Sequence, residues 1–154
     1  MREELKERLI KHINFLEEEI KDYPLFGNLT WEIYKIERSK RRDVERWIEN
    51  LVNSSIDISK IVLTAEEINF PETYREMVFS LSLIPEFDKE ETEKLSQWVR
   101  LRNIIAHEYL DIRWVSIKKF IKETVTLYNN LAERTKGYLS RNLNFNDNEV
   151  KRDS

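Results

Sequence analysis

The sequence of 154 residues contains no cysteine, two glycines, three prolines and two histidines. Without cysteine the chain forms neither disulfides nor a thiolate metal site, which suits a reducing compartment. With only His12 and His107 present, a histidine-rich metal site is nearly excluded. No acidic or cationic cluster surrounds His12 in the sequence, so we interpret it as a surface or boundary histidine. Few glycines and prolines, with 36% charged residues, indicate long helices with solvated faces.

Long apolar runs are also missing. No run approaches the roughly 20 residues that a membrane-spanning helix needs, and residues 1–8 are too charged for a signal peptide. We therefore expect a cytoplasmic protein that does not enter a membrane. The net charge of −3 argues against coating nucleic acid through bulk charge, although it permits a local basic cleft. No Gly-rich phosphate loop or metal cage is present, so we expect no cofactor and no metal.

Apolar residues recur at helical spacing along most of the chain, without a strand pattern or an internal repeat. This pattern predicts an all-α, up-and-down bundle of four to five helices over residues 1–138. Residues 139–154 are mostly polar and are predicted to form a disordered tail. The expected helix signals are a first helix over residues 2–22, an N-cap at Thr30 for a helix reaching about Glu67, a helix start at Phe70–Pro71, a capping-box variant at Asp88–Glu91 and a helix end near Gly137.

The stretch from Arg102 to Tyr109 combines a cation, an amide, an imidazole and a phenol within an apolar, helix-like segment. If the fourth helix is continuous, Arg102 occupies a position in its apolar stripe. A buried guanidinium without a partner is very costly, so this break in the pattern indicates a functional site. By the same spacing, Tyr109 is a core aromatic residue whose hydroxyl needs a partner.

Helix geometry limits how these side chains act together. Arg102 and His107 project about 140° apart on a straight helix, whereas Asn103 and His107 lie on one face. Either the helix ends or distorts near His107, or two chains contribute to a shared cleft. A purely structural interpretation also stays open, with Arg102 as an ion-pair partner of Asp57 or Glu108, and His107 as a helix-end histidine.

The spacing Arg102-Asn103-x3-His107-x-Tyr109 resembles the R-x4-H-x-Y motif of HEPN-domain ribonucleases, in the form found in HepT-type toxins of prokaryotic toxin–antitoxin pairs. The segment Phe70–Glu76 is similar to the Pro-x-Thr-Tyr-Arg-Glu segment of that family. Further similar stretches are Val44–Arg46 and Ile56–Ile58. The resemblance covers roughly residues 5–138. It departs at Asn53-Ser54-Ser55, where relatives often carry Glu-Ala, and this puts a carboxylate role at position 53 in doubt.

The resemblance implies a metal-independent RNA endonuclease that acts as a toxin, with Arg102, Asn103 and His107 as its catalytic residues. The chemistry of these side chains agrees with that role. RNA carries its own nucleophile, the 2′-hydroxyl, so cleavage needs a base, an acid and positive charge on the phosphorane. Histidine serves as base or acid near neutrality, arginine binds phosphate oxygens, and an amide orients the imidazole or contacts phosphate.

The resemblance also implies partners. The family is known for two-fold homodimers in which the motifs face each other. A nucleotidyltransferase antitoxin of the MntA type attaches AMP to the tyrosine that matches Tyr109. An added phosphate within a turn of His107 would obstruct RNA and neutralise Arg102, which gives this inactivation a physical reason.

A dense basic cluster, called the basic ridge below, stands out in this acidic chain. Its members are Lys35, Arg38, Lys40, Arg41, Arg42 and Arg46. The ridge is either a surface that tracks RNA phosphates or a solvated helix face with ion pairs to Glu37, Asp43 and Glu45.

Two other functions compete with a nuclease. The chain could be a non-catalytic helical module that binds a nucleotidyltransferase partner or a nucleotide. It could also be a nucleotide-binding helper domain split from a larger transferase.

Overall fold

Helices make up all the regular secondary structure of the described chain, which confirms the all-α prediction. The structure is a computed structural model that describes residues 1–153, with side chains described for residues 1–142. The helices are α1 (Glu3–Ile20), α2 (Tyr23–Phe26), α3 (Trp31–Ile36), α4 (Arg38–Ala65), α5 (Tyr74–Phe79), α6 (Lys89–Trp98), α7 (Leu101–His107), α8 (Leu110–Glu123) and α9 (Val125–Asp153), with a 3₁₀ turn at Ser80–Leu83. None of the described helices is both long and apolar enough to cross a membrane.

The long helix α4 is the centre of the bundle. Helix α1 packs along α4 and α9, and α3, α5 and α7 also contact α4. The apolar stripe of α1 is buried as the sequence predicted. Trp47 of α4 is buried between several helices. Its ring packs edge-on against the Tyr23 ring, with the two ring centroids 4.6 Å apart. Its indole N–H donates to the carbonyl oxygen of Glu19 at 2.7 Å, so burial leaves no unpaired donor.

Two predicted helix starts are confirmed by their capping bonds. The Thr30 hydroxyl accepts from the backbone N–H of Ile33, and the Asp88 carboxylate accepts from that of Glu91. The start at Phe70–Pro71 is wrong. Helix α5 begins at Tyr74 instead, because Thr73 supplies the N-cap and accepts from the N–H of Glu76 at 3.1 Å.

The predicted long second helix divides at Glu37, whose backbone (φ −87°, ψ 94°) is not helical. The guanidinium of Arg41 donates to the carbonyl oxygens of Tyr34 and Lys35 at 3.2 and 3.0 Å. These carbonyls lie in the last turn of α3 and would otherwise lack partners. The break is therefore stabilised by a residue that lies beyond it in the chain.

The predicted helix end near Gly137 is wrong, because α9 continues to Asp153. Gly137 faces open space, while its neighbour Tyr138 is fully buried and donates its hydroxyl to Glu66 at 2.8 Å. One turn later, Arg141 forms an ion pair with Glu86. The predicted boundary at residue 138 and the disordered tail stay predictions, since the side chains of residues 143–154 lie outside the described part.

Buried tyrosines differ in how their hydroxyls are satisfied. Burial raises the pKa of Tyr23 and of Tyr128 above the ordinary value. The Tyr23 hydroxyl shares a hydrogen bond of 2.6 Å with Thr124 Oγ1. The Tyr128 hydroxyl is fully buried and has no hydrogen-bond partner among the residues whose side chains are described.

This difference predicts opposite effects of removing the two hydroxyls. Tyr128→Phe should leave the free energy of unfolding unchanged or raise it by up to about 1 kcal/mol, because it removes an unsatisfied buried group. Tyr23→Phe is the matched control and should lower it by about 1 kcal/mol through the lost hydrogen bond. Urea unfolding at neutral pH measures both. Equal losses in the two variants would contradict the assignment of Tyr128 as unsatisfied.

Candidate active site

The motif lies in α7, a short helix that the sequence did not separate from α6. The two helices are joined by a tightened turn, in which the amide of Val99 bonds to Ser96 and the amide of Arg102 to Val99, each at 3.3 Å. These bonds connect residues three apart, as in a 3₁₀ turn. The predicted continuous fourth helix is therefore wrong, and the apolar stripe drawn along it is interrupted.

Helix α7 ends at His107. Glu108 follows in an extended conformation (φ −94°, ψ 160°), and its N–H donates to the carbonyl oxygen of Ile104 at 2.9 Å. A new helix, α8, starts at Leu110. Of the two geometric alternatives, the structure has the helix end at His107. Tyr109 consequently leaves the apolar stripe and is 82% exposed, so its assignment as a core aromatic is wrong.

The turn at Glu108 is fastened to the centre of the bundle by Arg113. Its Nε donates to the carbonyl oxygen of Glu108 at 2.7 Å, and its Nη1 lies 3.2 Å from Glu45 Oε2 in α4. The Tyr34 hydroxyl donates to the same carboxylate. The pKa of Tyr34 is raised mainly by burial and further by this bond to Glu45. The phenol therefore keeps the proton that it donates. No sequence pattern indicated this link, because Glu45 and Arg113 are far apart in the chain.

Arg102 is half-buried, and its guanidinium carbon lies 5.4 Å from the centroid of the Tyr74 ring. No carboxylate lies within 4.0 Å of it among the described side chains, so the ion pair with Asp57 or Glu108 of the purely structural interpretation is not present there. The contact with an aromatic face holds the guanidinium while leaving its N–H groups free for an anion.

Asn103 and His107 are both exposed on one face of α7, four residues apart. Neither side chain makes a hydrogen bond to another described residue, and the structure does not bring Arg102 and His107 into hydrogen-bond contact. Within one chain, the motif is thus an open surface and not a closed catalytic constellation.

The members of the basic ridge differ in their surroundings. Arg41 binds backbone carbonyls, and the Lys35 ammonium lies 5.8 Å from the Trp31 ring centroid. Arg46 acts on Glu19 of α1. Burial and the charge of Asp22 raise the pKa of Glu19, and the hydrogen bond from Asn50 and the charge of Arg46 offset part of that rise. The remaining members are exposed and form no ion pair within the described side chains: Arg38, Lys40 and Arg42. The ion pairs with Glu37 and Asp43 that the solvated-face alternative proposes are absent there, and Glu45 binds Arg113 instead.

His12 lies at the edge of a cleft of about 480 Å³ between α1 and α4. It is half-buried, as expected of a boundary histidine. The sequence missed its acidic neighbour, because Asp57 Oδ2 approaches His12 Nδ1 at 3.9 Å from another helix. Among the described residues, no three His, Asp or Glu side chains are grouped closely enough to hold a metal ion.

Comparison with known proteins covers most of the chain. A tri-AMPylated HEPN toxin of Shewanella oneidensis, solved in complex with an MNT antitoxin, aligns with a TM-score of 0.74 at 17% identity, over 89% of this chain and 99% of that chain. A mutant of the MntA–HpeT toxin–antitoxin complex also aligns with a TM-score of 0.74 at 17% identity, over 85% of this chain and 98% of that chain. No protein with a curated description matches.

The bundle therefore has the fold of HEPN toxins. A family profile, HepT-like and described as ribonuclease HepT-like, matches residues 9–135. The chain belongs to this HepT-like ribonuclease family.

Proposed function

We propose that the protein is a metal-independent RNA endonuclease and the toxin of a toxin–antitoxin pair. The observation that carries the proposal is the end of α7 at His107. At this end of the helix, Asn103 and His107 are exposed on one face, and the half-buried Arg102 of the same helix has no carboxylate partner among the described side chains. The surface alone would suit several kinds of phosphodiester. Membership in a family of ribonucleases supports RNA as the substrate.

The proposed reaction uses the nucleophile that RNA supplies. The imidazole of His107 accepts the proton of a 2′-hydroxyl while the oxygen attacks the adjacent phosphorus. The bond from phosphorus to the 5′-oxygen breaks, and an imidazolium returns a proton to that oxygen. Arg102 stabilises the charge on the phosphorane, and Asn103 orients the imidazole or binds phosphate. The products are a 2′,3′-cyclic phosphate and a 5′-hydroxyl, and the scheme requires neither metal nor cofactor.

The site is completed in this proposal by a second copy of the chain. Arg102 and His107 project about 140° apart on α7, so one straight helix does not aim both at one phosphate. A two-fold homodimer with facing α7 helices places Arg102 of one protomer opposite His107 of the other.

Cleavage without metal tests the proposed reaction. Wild-type protein incubated with RNA in EDTA should produce 2′,3′-cyclic phosphate ends. His107→Ala should lower the cleavage rate about 10²- to 10⁴-fold, because the proton transfers lose their carrier. Gel analysis with end-group mapping measures both. Equal cleavage by the variant would rule out the assigned role of His107. Intact RNA with wild-type protein would favour the non-catalytic module.

The same assay tests the shared cleft. Arg102→Ala and His107→Ala, each inactive alone, should regain about a quarter of wild-type activity when mixed and allowed to exchange protomers. Half of the dimers would then be mixed, and each would contain one complete site. No recovery, with exchange verified by mass, would place both residues of a site in one protomer.

Tyr109 is the proposed acceptor of AMP from a nucleotidyltransferase antitoxin of the MntA type. Its phenol oxygen attacks the α-phosphorus of ATP, pyrophosphate leaves, and the phenolic proton passes to solvent. The exposure of Tyr109 supports access by another protein, and its position two residues after His107 places the added charge beside the site.

The Tyr109→Phe variant tests this assignment. When the variant is incubated with such an antitoxin and ATP, its mass should not increase, and RNA cleavage should continue. Wild-type protein in the same mixture should gain AMP and lose cleavage. A mass increase in the variant would show that another residue accepts AMP.

The basic ridge is proposed to bind RNA phosphates without sequence preference. Glu45, which lies in α4 between the ridge members Arg42 and Arg46, binds Arg113, and Arg113 holds the turn after His107. This link supports a position of the ridge near the motif. The exposed members Arg38, Lys40 and Arg42 carry this role, whereas Arg41 mainly stabilises the break between α3 and α4.

Charge reversal separates these two roles. Arg42→Glu should weaken the binding of all RNA sequences alike, and the slope of log K against log salt should fall by about 0.7 for each lost phosphate contact. Arg41→Glu should also lower the free energy of unfolding, by about 1–2 kcal/mol, through its two lost hydrogen bonds. Binding titrations and urea unfolding measure these effects. If Arg42→Glu binds RNA as tightly as wild-type protein does, the ridge is a solvated helix face and not an RNA-binding surface.

A further inference from the structure

Two cations from different helices meet at one aromatic ring beside the motif. The Lys60 ammonium of α4 lies 4.8 Å from the centroid of the Tyr74 ring, and the Arg102 guanidinium carbon of α7 lies 5.4 Å from it. These distances place the two cations within about 10 Å of each other. Tyr74, the first residue of α5, therefore joins three helices at this point.

Within the described side chains, no carboxylate forms a salt bridge with Lys60 or with Arg102. The face of an aromatic ring attracts a cation through its quadrupole but removes none of its charge. Two positive charges within about 10 Å of each other add their attraction for an anion bound near both. The cluster thus has the electrostatics of an anion site.

We propose that Lys60 and Tyr74 are further members of the RNA site, a role that rests on the proposed ribonuclease function. Lys60 binds the RNA phosphate next to the scissile one. Tyr74 is a positioning residue, because its ring holds the Arg102 guanidinium in place and leaves the N–H fork free for phosphate oxygens. Tyr74 is 44% exposed, so its ring lies at the surface, where it contacts the guanidinium, and not in the hydrophobic core.

The contribution of Lys60 is tested by RNA binding in the His107→Ala background, where no cleavage interferes. Lys60→Met should raise the Kd for a short single-stranded RNA roughly three- to tenfold at low salt and reduce the slope of log K against log salt by about 0.7. Lys122→Met, which removes an exposed lysine from the last turn of α8, is the matched control and should leave the slope unchanged. Equal slopes for Lys60→Met and its parent would overturn the role of Lys60.

The role of Tyr74 is tested by cleavage kinetics. Tyr74→Leu should lower kcat roughly tenfold, since the guanidinium loses its support, whereas Tyr74→Phe keeps the aromatic face and should restore most of the rate. In the Arg102→Ala, Lys60→Met background, which lacks both cations that contact the ring, Tyr74→Leu should weaken RNA binding no further. A further loss there, or equal rates for Tyr74→Leu and wild type, would overturn the positioning role.

The outcomes also separate this inference from the function on which it rests. Thermal melting of each variant shows whether a loss reflects unfolding. If wild-type protein cleaves RNA but the Lys60 and Tyr74 variants behave as their controls do, this inference alone fails. If wild-type protein neither binds nor cleaves RNA, both fail together.

Discussion

Arg113 bonds to both Glu45 and the Glu108 carbonyl, and the end of α7 at His107 depends on these two contacts. A helix that continued through Glu108 would carry His107 and Tyr109 along its side and bury Tyr109 in the stripe. Instead, the backbone is extended at Glu108, and a half-buried guanidinium holds the freed carbonyl against α4. Such a buried charge persists only when it is paired and hydrogen-bonded, and the Glu45 carboxylate and the Tyr34 hydroxyl meet that condition.

Local signals predicted local structure well. The apolar stripe of α1 and the caps at Thr30 and Asp88 involve residues within a few positions of one another, so the sequence displays them directly. The motif was also visible, because a cation interrupted an apolar stripe. The bundle class followed from the helical period and the scarcity of glycine and proline.

The helix breaks were not predictable, because their causes lie outside the broken segments. Residues around Glu37 and Glu108 favour helix, and the breaks there depend on the side chains of Arg41 and Arg113. The opposite error occurred at Gly137. A glycine inside a helix costs about 1 kcal/mol, but the burial of Tyr138 against the bundle outweighs that cost. Partners of Arg102 and His12 were missed for the same reason, since Tyr74 and Asp57 come from other helices.

The same break that exposes His107 also exposes Tyr109. Within the proposed toxin–antitoxin function, catalysis and its control therefore depend on one conformational feature. A phenol kept in the stripe would need partial unfolding before another protein could modify it. At the start of α8 it is 82% exposed, and AMP attached there adds an anion to a proposed site whose cations, Arg102 and Lys60, have no carboxylate partner among the described side chains. Those cations would then bind the modification in place of RNA, so inactivation would use the electrostatics that cleavage requires.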